Sequence, residues 1–164
     1  KVLSSENLGQ AIGFIATAEG RSAKNYLLTS ARGDIVDVEA TADDVDISYP
    51  EDSILTHANH FKTERFKPDD LAPVQFPDSY IRSRRLLDLL KSHHGHLSVE
   101  VIQELLQDHN NYPNSICRHP DAQNPFPMAR MMKTLVSIIS CPGKQKAWIA
   151  LGNPCESEYL EYGL

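Results

Sequence analysis

Two short stretches hold most of the side chains able to do chemistry. The first, SILTHANHF at 53–61, offers His57, Asn59 and His60; the second, NNYPNSICR at 110–118, offers Ser115, Cys117 and Arg118. Read as a strand, 53–61 points successive side chains to opposite faces, so His57 and Asn59 lie on one side, Ala58 and His60 on the other. The two histidines then cannot share a metal ion unless the strand breaks. HHGH at 93–96 has no carboxylate or cysteine at ligand spacing, and its histidines suit a helix C-terminus, so no metal is expected. Asparagine is depleted in strands. Asn59 is either an amide that satisfies backbone at a strand end or a carboxamide donor for the oxyanion of an acyl transfer. Ser115 sits in no GxSxG elbow, and Cys117 has no histidine at a fixed nucleophile–base spacing. Arg118 suits either a bidentate grip on a substrate carboxylate or pairing with a structural acid.

The elements that must position these residues can be read from periodicity. Leu8, Ala11, Ile12, Ile15 and Ala16 mark one buried helical face, with Ser4 or Ser5 as cap and Gly20 as terminator. NYLLTS at 25–30 and DIVDVEA at 34–40 read as a hairpin whose valine side, Val36 and Val38, faces inward. Residues 41–52 are acidic and turn-like, and 62–78 carry three prolines without a period, as surface loops do. Helices are expected at 79–92 and 98–108, with Gly95 in the connection. MKTLVSIIS at 132–140 and KAWIALG at 146–152 flank Pro142-Gly143 as a second hairpin; the first of these is apolar enough to be covered on both faces. Helices and antiparallel strands in separate runs predict an α+β fold within a single domain over 1–164.

Composition narrows the partners. The 164 residues are 41% hydrophobic and 23% charged with a net charge of −6, which fits one folded unit and gives no electrostatic footprint for nucleic acid or an anionic membrane. No apolar run is long enough to span a bilayer. Cys117, Cys141 and Cys155 are odd in number and widely spaced, pointing to reduced thiols in a cytoplasmic protein with neither a disulfide framework nor a zinc knuckle. A chain opening at Lys1 without a methionine suggests an upstream part.

The ordered set of motifs resembles one family. His57-Ala58-Asn59-His60, then Ser79, Arg82 and Arg85 opening a helix, then Asn111-Tyr112-Pro113 with Ser115-Ile116-Cys117-Arg118, and finally Leu151-Gly152-Asn153-Pro154, look like the carboxy-terminal half of the acyl-coenzyme A:6-aminopenicillanic acid acyltransferase family. That family is also called isopenicillin N acyltransferase, or peptidase family C45, within the N-terminal nucleophile hydrolases. The resemblance implies part of a four-layer αββα sandwich, formed from a precursor that cuts itself before a cysteine. The freed cysteine is nucleophile and, through its α-amino group, base. Carried over by motif, Asn59 becomes the oxyanion donor and Ser115 a hydroxyl lining the same pocket. Arg118 is expected to bind substrate, and His57, His60, Ser79, Arg82, Arg85 and Tyr112 to support the site.

Residue 1 is lysine, and none of the three cysteines follows a plausible cleavage point, so the nucleophile-bearing half is expected to be missing and this chain inactive alone. The resemblance therefore implies a fragment of a self-processing acyltransferase or amidohydrolase that works through a thioester acyl-enzyme. Its substrate would be a small acyl donor such as an acyl-coenzyme A or an amide, and no cofactor is implied. The competing expectations are a catalytically silent binding or regulatory module on the same scaffold and, more remotely, a metal-dependent hydrolase using the histidine-rich loop. Without its other half, the apolar strand at 132–140 should expose a face that invites self-association.

Overall fold

The computed structural model describes residues 1–163, apart from the side chain of Met128. It contains α1 (Leu8–Ala16), β1 (Lys24–Thr29), β2 (Ile35–Ala40), β3 (Val45–Ser48), a one-turn α2 (Ala72–Gln75), α3 (Asp78–Ser92), α4 (Val99–Leu106), β4 (Val136–Cys141), β5 (Lys146–Leu151) and β6 (Leu160–Gly163). The strands form two three-stranded antiparallel sheets in the orders β1-β2-β3 and β4-β5-β6. This is the expected α+β class.

Helix α1 starts later than its serines suggested. Asn7 accepts the Gln10 N–H at 2.9 Å, while the Gln10 side chain reaches back to the Glu6 N–H at 2.8 Å, a reciprocal cap that leaves Ser4 in a preceding 3-10 turn. The helix closes at Thr17; Gly20, at φ +66°, turns the chain only afterwards. Ile15 of α1 packs on Val38 and Ala40 of β2, forming a small core that Ile12, Tyr26, Leu28 and Val45 extend.

Strand β2 is buried on both faces, a correction to the one-sided reading. The valine side is inward as expected, but Asp37 and Glu39 are also buried, at 0% and 1% exposure. The acidic stretch after it supplies β3, whose Ser48 pairs with Asp37 and whose Asp46 pairs with Glu39. Alternation missed β3 because the strand is short and set among acids; Asp44 just before it and Asp46 within it each accept the next residue's N–H.

The most consequential correction concerns 53–61, which is not a strand. It runs as irregular chain between an isolated bridge at Ile54 and a bend at Asn59-His60. Faces therefore do not alternate, and the rings of His57 and His60 stack with centroids 6.3 Å apart. The helices expected at 79–92 and 98–108 are α3 and α4, the latter capped by Ser98. In the second sheet the Pro142–Lys144 turn joins β4 to β5 as predicted. Strand β4 is not covered on both faces. Ser137 and Ile139 point inward while Val136 and Ile138 lie open, Ile138 at 57% exposure.

Candidate active site

The irregular 53–61 segment is fastened at both ends of its chemistry. Glu39 accepts from His57 Nε2 at 2.6 Å, from the Lys62 N–H at 2.6 Å, and from the Thr63 N–H and hydroxyl at 3.0 and 2.7 Å. Burial pushes this carboxyl up, but those four bonds outweigh it and bring its pKa down to about 2. His57 Nδ1 meets the Ala58 carbonyl at 2.7 Å. Both ring nitrogens thus face acceptors that cannot donate, so His57 is an imidazolium. Burial alone would lower its pKa, but Glu39, Asp37 and the Ala58 carbonyl outweigh burial and raise it. Burial likewise raises the Asp37 carboxyl, while the Asn25 amide, donating across β1 and β2, works against it.

Two residues on, Ser79 of α3 fixes the bend. Its buried hydroxyl accepts the Asn59 N–H at 2.7 Å and meets His60 Nδ1 at 2.7 Å. His60 stacks on Tyr80 at 4.0 Å; burial, then the charge on His57, lowers its pKa, so this second imidazole is neutral beside the charged first.

The Asn59 amide is oriented by a cation. Arg82 Nη2 donates to Asn59 Oδ1 at 2.6 Å, and because a guanidinium only donates, the amide nitrogen Nδ2 must point the other way. Among the described residues nothing accepts a hydrogen bond from Nδ2. Arg82 is itself held by Asp78, whose Oδ2 accepts from Arg82 Nε at 2.9 Å and from Arg118 Nη1 at 3.1 Å. Arg118 Nη2 donates to Asn114 at 2.7 Å, and its Nε, though buried, has no partner among the described residues. Two guanidinium groups therefore share the Asp78 carboxylate, with Asp121 a second acid near Arg118 through Asn114. Arg82 and Arg118 line an open cleft of about 470 Å³ together with Asn59, the apolar Ile116, Met131, Met132 and Leu135, and Lys133 and Thr134. A second cleft of about 410 Å³, lined by His57, His60, Asp70 and Phe76 among others, also includes Asn59.

A family model described as acyl-coenzyme A:6-aminopenicillanic acid acyl-transferase matches residues 1–156. The chain belongs to that family. No curated protein shows a significant match to it. Within this acyltransferase family member, the geometry sorts the residues that the motifs single out.

Asn59, Arg82, Ser79, His57 and His60 come together around one bend. Arg118 is paired with a structural acid, the second of its two sequence readings, while still lining the cleft. Ser115 does not reach either cleft: it is fully buried and its hydroxyl donates to the Cys117 carbonyl at 2.6 Å, closing the turn that presents Arg118. Arg85 stands apart, donating through Nε and Nη2 to Asp108 at 3.0 and 2.7 Å and so tying α3 to the end of α4. Tyr112 is exposed and packs against His109 and His119.

Two acids central to this arrangement were not singled out in the sequence. Asp78 had a visible signal, since it precedes Ser79 and stands four residues before Arg82 on one helix face. Glu39 had a weaker one, two acids alternating with valines beside a strand asparagine. Also unforeseen was the meeting of Cys117 with Cys155, Sγ to Sγ 3.4 Å, in company with His109 and His119. Burial and the neighbouring Cys117 thiol push the Cys155 thiol up to about 11, far from a thiolate nucleophile.

Proposed function

We propose that this chain carries the oxyanion-binding part of an acyl-transfer site, and that the parent protein is a self-processing acyltransferase or amidohydrolase acting through a thioester acyl-enzyme. One observation carries the reading: Arg82 fixes Asn59 by its oxygen, so that Nδ2 faces outward as an unspent donor. In acyl transfer a carbonyl oxygen gains charge as the tetrahedral intermediate forms, and a donor held in place beforehand stabilises that charge without reorganising. The positive charge of Arg82 behind the amide strengthens its N–H as a donor. The apolar wall of Ile116, Met132 and Leu135 suits the acyl chain, and the arginine wall suits an anionic group on donor or acceptor.

The nucleophile comes from residues outside these 164. Cys117 is buried, Cys155 lies against it, and neither these two nor Cys141 lines the clefts that Asn59 borders. A cysteine freed by self-cleavage, supplied by the remainder of the same domain, would attack the acyl carbon. Its thiolate forms the carbon–sulfur bond, the leaving amine or coenzyme thiol takes the proton, and water or an acceptor amine then releases the acyl group. That remainder also covers the open face of β4, β5 and β6, where Val136, Ile138, Leu151, Leu160 and Tyr162 are exposed. Substrate identity within amides and thioesters is set by the acyl wall, and β-lactams are one class among these.

Expression of the full parent gene tests the reading by intact mass. Two chains with a cysteine at the new N-terminus, and acyl transfer that Asn59→Ala suppresses, are expected. A single uncut chain without acyl transfer would overturn it in favour of a silent binding module.

A further inference from the structure

Away from Asn59, four potential ligands converge where the loop after α4 meets the turn between β5 and β6. His109 Nε2 and His119 Nε2 are 3.1 Å apart, Cys117 Sγ and Cys155 Sγ are 3.4 Å apart, and His119 Nε2 lies 3.7 Å from Cys117 Sγ and 3.5 Å from Cys155 Sγ. All four donor atoms fall within 4.8 Å of one another. We propose that His109, Cys117, His119 and Cys155 form a closed, four-coordinate structural site for a zinc ion.

The spacing decides between an ion and a chance meeting. A tetrahedral zinc with sulfur at about 2.3 Å and nitrogen at about 2.0–2.1 Å has edges of about 3.8 Å between sulfurs, 3.6 Å between sulfur and nitrogen and 3.3 Å between nitrogens. Those four separations stand within about 0.4 Å of these edges before any ion draws the ligands into place, and the two that remain, from His109 to either sulfur, are within 4.8 Å. Two thiolates and two neutral imidazoles balance the charge of a divalent ion, so the filled site is neutral and half-buried without further counterions. Sulfur and imidazole, with no carboxylate among the ligands, select zinc over calcium or magnesium. Binding transfers the two thiol protons to solvent.

The surroundings have the shape that orients such ligands. Asn153 Nδ2 points at Cys117 Sγ from 3.4 Å and also donates to the Arg118 carbonyl at 2.8 Å. Glu156 lies 3.9 Å from His119 Nδ1, the nitrogen left over once Nε2 binds metal. Tyr112 lays its ring against both imidazoles, with centroids at 6.0 and 5.3 Å, and shields one side. The ion would join the loop after α4 to the turn between β5 and β6, and it would fix the backbone on both sides of Arg118. The proposal stands on this geometry alone and does not depend on the acyl-transfer reading.

The test uses the full chain, untagged, produced with zinc and purified under reducing conditions without chelator. Elemental analysis should return one zinc per chain. Cobalt added to the reduced, metal-stripped chain should give a thiolate charge-transfer band and the intense visible bands of a tetrahedral S2N2 site. Cys155→Ser should abolish stoichiometric binding. His109→Ala, a change at an exposed position that leaves folding intact, should weaken zinc by at least about 100-fold, more than loss of an outer partner would. A triple change of His93, His94 and His96 to Ala should leave one zinc in place. Sub-stoichiometric zinc with no cobalt charge transfer, full binding by Cys155→Ser, loss of zinc in the triple variant, or a Cys117–Cys155 disulfide found in place of metal would each overturn the site.

Discussion

Arg82 grips Asn59 by its carbonyl oxygen, Nη2 to Oδ1 at 2.6 Å, and thereby turns the amide nitrogen out of the fold. The pair converts a side chain at a loop bend into a fixed donor. In the reconstituted enzyme, Asn59→Ala should lower kcat on the order of 100- to 1,000-fold, the range seen when one oxyanion donor is removed. KM should change little, because the charge being met exists in the transition state. Arg82→Ala should also reduce kcat, by freeing the amide to rotate, with Arg82→Lys recovering part of the loss. Steady-state kinetics on an acyl substrate separates the two parameters; a rise in KM alone would assign Asn59 to ground-state binding.

Glu39 and His57 set the pH range of stability. The Glu39 carboxyl sits at about 2 in the fold against its usual 4.5, so its contribution is whole above about pH 5 and is lost as the pH falls towards 2. His57 is raised above 6.5, so its contribution is whole below 6.5 and disappears as the pH rises through the folded value. Asp37, raised from 3.8, loses stability as the pH rises through its own folded value and offsets part of the Glu39 gain. Denaturant titrations at a series of pH values should give greatest stability near about pH 5–6.5. Glu39→Gln should flatten the acid limb and cost about 3 kcal/mol or more, as breaking a buried ion pair does.

Asp78 is the common anchor of two cations. Asp78→Ala should destabilise the chain by about 3–5 kcal/mol, because it removes the one carboxylate that pairs both Arg82 and the buried Arg118. Urea unfolding measures the loss. Adding Arg118→Met to Asp78→Ala should restore part of it, since removing both buried charges is less costly than removing one; no recovery would show that Asp78 acts mainly through packing.

The open face of the second sheet should be sticky in this chain taken alone. Ile138→Lys is expected to reduce binding of a hydrophobic dye and self-association in sedimentation, while changing unfolding free energy by no more than about 0.5 kcal/mol. In the whole enzyme the same change should impair assembly. Equal dye binding by both forms would place the apolar surface elsewhere.

The sequence by itself determined the elements with strong local signals and the identity of the family. Helices α3 and α4 follow from leucine periodicity and the Ser98 cap, the β1–β2 and β4–β5 hairpins from turn chemistry, and the family from motif order along the chain, which survives without any knowledge of contacts. Ser79, Arg82 and Asn59 could be named from their motifs, but not joined. Tertiary structure decided what each touches. The strand reading of 53–61 failed because a buried Glu39, on a strand 18 residues before His57, takes one hydrogen bond from His57 and three from Lys62 and Thr63 just beyond the segment, and so holds the chain in an irregular path that local propensity does not encode. Cys117 and Cys155 are 38 positions apart, and their meeting depends on how the loop after α4 lies against the turn after β5. Local chemistry is written in neighbouring residues, whereas burial, charge sharing and ligand geometry arise only when distant segments are packed together.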